Sequence, residues 1–259
     1  EVDADLDKSR LIEFLKMRRD QLEKQKTMLT ESIEAIESIL ASLYKGKKSL
    51  SAQERKYVMT QFEKLSVVVA GVRDLDLVAE FIRVHLQMNG KSIPVINWNG
   101  KSSAPDSKPF ILVVDEKKLA SPKLKDLNPD IVVIKEISES SQEIHKSYLQ
   151  LYKNVGPHMA TILNADDRAV VELASNSTIR KGKTYYFSKN SGLKDQIRKI
   201  GGVISNGSEV EIFGFNMKDS NLKISIERVT GIDKETAYLA SLTAVLDFGL
   251  SANLLAKLE

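Results

Sequence analysis

From Leu11 to Leu43 the chain has neither Gly nor Pro, and Leu15, Leu22, Leu29, Ile36 and Leu43 recur every seven residues. That spacing puts all five on one stripe of a helix. The companion stripe, Ile12, Arg19, Lys26, Ile33 and Leu40, is apolar at its ends and basic in the middle, so it can be only partly dry. Gly46, set among Lys45, Lys47 and Lys48, supplies a C-terminal stop. A second helix follows, with Ser51 and Glu54 at capping-box spacing and Tyr57, Val58, Phe62 and Leu65 as its apolar face. A first helix of roughly 35 residues would be ~50 Å long, more than a compact domain built from the rest of the chain could cover. The expectation is a coiled-coil-like helical arm over 1–65 that meets a second copy or a protein partner through the Leu15, Leu22, Leu29, Ile36 and Leu43 stripe. Packing onto its own domain is the plainer alternative.

After Ser66 the pattern alternates between strand and helix. Ser66 to Ala70, Phe110 to Val114, Asp130 to Ile134 and Met159 to Leu163 are β-branched or aliphatic runs of the kind buried on both faces of a parallel sheet. Ser92–Asn97 and Thr184–Phe187 add shorter strands, and helical spacing appears over Leu75–Met88, Glu143–Tyr152, Arg168–Ala174 and Leu193–Lys199. Gly202–Ser205, Glu209–Phe215 and Asn221–Arg228 read as short antiparallel strands joined by turns, before a last helix over Glu235–Phe248 and a helical tail over Ala252–Leu258. The order predicts an α/β domain over 66–259: a mostly parallel sheet with helices on both faces, plus a small antiparallel segment.

Composition narrows the chemistry. The 259 residues include no Cys, which excludes disulfides, thiolate-bound metals and a cysteine nucleophile. A balance of 38 Lys+Arg against 35 Asp+Glu lacks the concentrated basic excess of a specific nucleic-acid binder. No apolar run approaches the ~18 residues of a membrane span, and no secretory signal is visible. The expectation is a soluble, non-secreted protein of the cytoplasm or an organelle stroma. His85, His145 and His158 have no metal-ligand spacing, and His85 falls inside a helix as a packed or capping residue. Asp166-Asp167 reads first as a helix N-cap, and Gly201-Gly202 and Asn206-Gly207 read as turns.

The runs Asn128-Pro129-Asp130-Ile131-Val132-Val133-Ile134-Lys135-Glu136-Ile137-Ser138 and Thr161-Ile162-Leu163-Asn164-Ala165-Asp166-Asp167 resemble the central ATP-binding domain of the Mur ligases and folylpolyglutamate synthases. In those proteins a PDIAVITNIS strand precedes a helix and a VLNADD strand end. Ser66 to Gly90 is similar to their first strand, phosphate loop and helix. Ile111 to Glu116 is similar to the strand that carries a magnesium-binding carboxylate, which puts Asp115 or Glu116 at that place. Gly231 to Gly249 is similar to their GxHNxxNALAA helix, and the resemblance covers 66–258.

The departures from that family's pattern fall on its functional positions. Where the family has GTNGKT or GTNGKS, this chain reads Gly71-Val72-Arg73-Asp74-Leu75-Asp76-Leu77. Leu75 stands at the lysine position, Asp76 at the magnesium-binding hydroxyl, and Asp74 puts negative charge where phosphate would lie, with only Arg73 nearby. This degenerate loop (Gly71, Arg73, Leu75, Asp76) argues against ATP binding. Ser140 or Ser141 stands where the family has a metal-binding His, and Asp233, Lys234 and Ala237 replace its His-Asn pair and later Asn. Lys146, or Lys153 in another register, matches a lysine that several Mur ligases carbamylate. Asn164, Asp166 and Asp167 are then vestigial, as are Asp115, Glu116 and Lys146. The resemblance implies a non-catalytic Mur-ligase-like scaffold or interaction subunit with no cofactor, no catalytic residue and no metal. The alternatives are an amide ligase with an atypical or partner-completed site, or a module reusing the old cleft for a small molecule.

Overall fold

Ser66–Gly71 (β1) is buried along its whole length, and Val67, Val68, Val69 and Ala70 have no exposure at all. Only a strand covered on both faces and both edges allows that, and the sheet supplies such a place. The structure, a computed structural model, describes residues 65–88, 91–103, 105, 107–138, 142–155, 159–176, 182–215, 222–225 and 232–248. The Leu15–Leu43 stripe, Ser140, Ser141 and His158 lie outside the described residues. The chain divides into two units, Glu1–Phe62 and Glu63–Glu259, and the described residues belong to the second.

In chain order the described elements are β1, α1 (Leu75–Met88), β2 (Val95–Asn97), β3 (Phe110–Asp115), β4 (Ile131–Ile134), α2 (Gln142–Lys153), β5 (Ala160–Asn164), α3 (Arg168–Asn176), β6 (Lys183–Ser188), α4 (Lys194–Ile200), β7 (Gly202–Ser205), β8 (Glu209–Phe213), β9 (Leu222–Ser225) and α5 (Ile232–Asp247). They form one nine-stranded sheet in the order β2-β3-β1-β4-β5-β6-β7-β8-β9. Every pairing from β2 to β7 is parallel, and β8 and β9 are antiparallel. The expected mostly parallel sheet is therefore present. The antiparallel strands extend it rather than forming a separate layer, and β7, grouped with them in the sequence, pairs parallel to β6 on its other edge.

Alternation along the strands sorts the core into two sides. Val68, Ala70, Leu112, Val114, Val132 and Ile134 face the cluster that includes Tyr148 and Leu151 of α2 and Val170 and Leu173 of α3. The intervening residues of β1 and β3 lie toward α1, which packs along α5. Near the start of β1, the Ser66 N–H and hydroxyl both donate to Asp130 Oδ2, at 2.8 and 2.7 Å, and Lys108 Nζ reaches the same oxygen at 2.8 Å. This clamp fixes the register of β1 against β4.

His85 sits on the buried face of α1, fully covered, with its ring edge-on to Tyr238 of α5 at 5.7 Å. Of the two roles expected for it, packing or capping, it has the first. Burial holds its pKa at about 4, below the ordinary 6.5. Because the folded value is the lower one, the unfolded chain takes up a proton first as the pH falls. Stability is therefore lost from pH ~6.5 down to ~4, by about 2–3 kcal/mol at pH 4.5. Denaturant unfolding at pH 7 and pH 4.5 should find this loss in the native chain and a smaller one, by about that amount, in His85→Leu.

Candidate functional site

The chain runs from β1 outward to β2 and β3 on one side and from β4 onward on the other, so the strand order reverses between β1 and β4. In open α/β sheets ligands bind outside the carboxyl ends of the strands at such a point. The registers align those ends: Gly71 lies opposite Asp115, Ala70 opposite Ile134, and Ile134 opposite Leu163. One edge of the sheet thus brings together the loop after β1, Asp115 and Glu116, Lys135 to Ser138, and Asn164 to Asp167.

Lys135 is the centre of this edge. Its backbone N–H continues the ladder to Ala70 O at 3.1 Å. Its side chain is only 5% exposed and runs into the loop after β1, where Nζ donates to Arg73 O at 2.9 Å and to Asp74 Oδ2 at 3.1 Å. Asp74, whose carboxylate is 39% exposed, has a left-handed backbone (φ 54°) that ends the loop just before α1. Next to it Arg73 forms a two-pronged ion pair with Glu136, Nη2 to Oε1 at 2.7 Å and Nε to Oε2 at 3.2 Å. Both cations at the loop are thus matched by a carboxylate of this chain. Space at Gly71 is tight, since a Cβ there would lie 3.2–3.3 Å from the Glu136 backbone and 3.0 Å from Leu75 Cδ2. Leu75 itself is buried, a core residue of the first turn of α1, and Asp76 is exposed in that same turn.

The carboxylates of β3 serve local structure. Asp115 caps the 3-10 turn Glu116–Lys118 by accepting from Lys117 N at 2.9 Å. Glu116 is buried, and its two oxygens accept from the Ser138 N–H, at 2.9 Å, and from the Ser138 hydroxyl. Tyr148 of α2, wholly buried, donates to Glu136 O at 3.3 Å. Burial first, and then the negative charge of Glu116, Asp115, Asp167 and Glu136, pushes its hydroxyl far above the usual phenol range, so it stays a donor.

Asn164 ties the next strand in, donating from Nδ2 to Lys135 O at 2.9 Å and accepting from Asp166 N at 3.0 Å. Asp166 accepts from the Ser188 hydroxyl and from Lys189 N. Asp167 caps α3 through Val170 N at 2.9 Å, the role read from the sequence, and burial raises its carboxyl pKa. Lys146 is exposed on α2, where it lines a groove against residues 119–125, and Lys153 is exposed at the end of the same helix. Ala237 is buried in α5 and Lys234 is exposed. Among the described residues there is no cluster of three or more His, Asp or Glu able to hold a metal ion, and no helix is long and apolar enough to cross a membrane.

Sequence reasoning singled out Arg73 and Asp74 and passed over Lys135, Glu136, Ser138 and Tyr148. The signal was present: a Lys-Glu pair follows directly on the buried run Ile131–Ile134, at the carboxyl end of a strand beside β1.

No family model matches the chain. An alignment over 139 residues is 30% identical to the UDP-N-acetylmuramoylalanine–D-glutamate ligase of Bdellovibrio bacteriovorus, covering 48% of this chain and 30% of that enzyme. Among solved structures, a UDP-N-acetylmuramoyl-L-alanyl-D-glutamate–2,6-diaminopimelate ligase superposes with a TM-score of 0.56 at 12% identity, over 78% of this chain and 48% of the other. The fold is Mur-ligase-like. A murein peptide ligase from Psychrobacter arcticus gives 0.53 over 84% of this chain and 51% of its own, also at 12% identity. The relatives point to the central domain of that family as the counterpart of this α/β unit, and the chain spans about half the length of these solved structures and less than a third of the curated relative.

Proposed function

We propose that the chain is a non-catalytic Mur-ligase-like protein that acts as a scaffold or interaction subunit and assembles through its N-terminal helices. The observation that carries this reading is the Lys135–Asp74 and Arg73–Glu136 pairing across the switch crevice. A phosphate loop works by leaving backbone N–H groups and a lysine free for the anion. Here the buried lysine is spent inside the loop, a leucine fills the position of the loop lysine, and Asp74 and Glu136 would repel a triphosphate. Against ATP with magnesium stand the leucine at the loop-lysine position and the carboxylates of β3's end, which have protein partners: Glu116 accepts from Ser138, and Asp115 caps its turn. Asp115, Glu116, Asn164, Asp166 and Asp167 are in this reading structural remnants, and Lys146 has no role at a nucleotide site.

Assembly falls to the Leu15, Leu22, Leu29, Ile36 and Leu43 stripe. Light scattering of the full chain and of a chain starting at Ser66 tests it, with circular dichroism to check that the shorter chain folds. The full chain should scatter as an oligomer, or pull down a partner, and the shorter one should be a monomer that captures none. Two monomers with identical partners would refute assembly through the helices.

A further inference from the structure

One groove in the fold is lined by none of Arg73, Asp74, Lys135 and Glu136. Residues 119–125, which follow β3, and one side of α2 enclose a groove of about 330 Å³. Its floor is aliphatic, formed by the buried Leu119, Leu124 and Leu151. One end is held by Asn154, whose amide donates to Lys125 O at 2.9 Å and to Leu127 O at 3.1 Å.

The surroundings of this groove are basic in a way the net charge of +3 conceals. Lys125 and Lys146 stand on its rim, and Lys117 and Lys153 are exposed just before residues 119–125 and at the end of α2, whereas Lys118 and Lys123 donate to Trp98 O, at 3.2 Å, and to Lys101 O. Glu143 is the carboxylate that lines the groove, and Asp126 is exposed next to Lys125. Neither Lys125 nor Lys146 has an ion-pair partner among the described residues. Charge left unneutralised around an apolar floor fits a ligand that supplies both missing halves.

We propose that this groove docks an acidic protein segment bearing aliphatic side chains, which enter the Leu119, Leu124 and Leu151 floor while its carboxylates meet Lys125 and Lys146. Two features favour a peptide over a nucleic acid. The groove carries no aromatic ring on which a base could stack, and its lining includes no arginine. The site is independent of the crevice, so it stands whether or not the crevice binds nucleotide.

Fluorescence anisotropy on the full chain tests this with three probes of about 15 units each: a Glu/Asp peptide with Leu at helical spacing, the same peptide with Ser for Leu, and a single-stranded oligonucleotide. The Leu-bearing peptide should bind, more weakly as salt rises. Affinity should fall at least about tenfold in the Lys125→Glu, Lys146→Glu double variant and also in Ala120→Trp, which fills the groove from its exposed lip. All these positions are exposed, so melting temperatures should stay close to that of the native chain. Absence of binding, equal binding of the Ser peptide, tighter binding of the oligonucleotide, or unchanged affinity in both variants would each overturn the proposal.

Discussion

Gly202→Ala should unfold the α/β unit or leave it barely stable, with a loss of at least about 4 kcal/mol. Gly202 opens β7 directly opposite Tyr186 of β6, at φ +149°, and a Cβ placed there would sit 1.9 Å from Tyr186 O and 2.8–2.9 Å from two further backbone atoms. Those atoms belong to a ladder and cannot swing aside as a flexible side chain could. Relief requires moving β7, which breaks the pairings Phe187–Val203 and Ser188–Ile204 and carries β8 away with it. Gly201 and Gly214 crowd the same spot, since a Cβ on Gly214 would lie 2.7 Å from the Gly201 Cα. Urea unfolding of the purified variant is the check, with Gly207→Ala as control. Gly207 has a positive φ of 97° but nothing within 4 Å, so its variant should lose only about 1 kcal/mol of backbone strain. Equal behaviour of the two variants would mean that β6 and β7 do not approach as described.

Lys135→Ala should cost about 2–3 kcal/mol, the second largest effect. The substitution removes the cation that joins Arg73 O and Asp74 to the end of β4, and with it a buried aliphatic stem. A fully buried partner left without its mate would cost more, but Asp74 is partly exposed and regains water. Lys135→Met, which keeps the stem, should recover roughly half of the loss, and Asp74→Asn should matter little once Lys135 is Met. Thermal unfolding of the double-mutant cycle measures this. A Lys135→Ala variant within about 0.5 kcal/mol of the native chain would show that the lysine does not hold the loop closed.

The sheet was legible because its strands are extreme. Ser66–Ala70, Phe110–Val114 and Ile131–Ile134 are apolar without alternation, which soluble proteins use for strands covered on both faces, and the intervening helices follow from ordinary spacing. The strand order was not legible from the pattern alone, and it decides the site. A lysine after an apolar strand reads as an exposed end. Only the placement of β4 beside β1 turns Lys135 inward to Asp74. For the same reason Glu116 was read as a metal-position carboxylate, although it satisfies a serine more than twenty residues away in the chain. Gly201-Gly202 was read as a turn. That fits Gly201, which ends α4 by donating to Ile197 O at 2.7 Å, but Gly202 answers to the close approach of a neighbouring strand. The groove left no trace in the sequence, because its two walls share no periodicity and meet only after β3 and β4 have paired with β1.

In the proposed reading the cations of the crevice are neutralised from within, Lys135 by Asp74 and Arg73 by Glu136, and no nucleotide is expected to bind. Isothermal titration calorimetry of the full chain with ATP and magnesium tests this most directly. The account predicts no saturable heat at millimolar nucleotide and no rise in melting temperature, where a site filled at 100 times its dissociation constant would add about 2.7 kcal/mol. Saturable binding that weakens in Lys135→Ala or in Asp115→Asn with Glu116→Gln would contradict it and return the chain to the ligases.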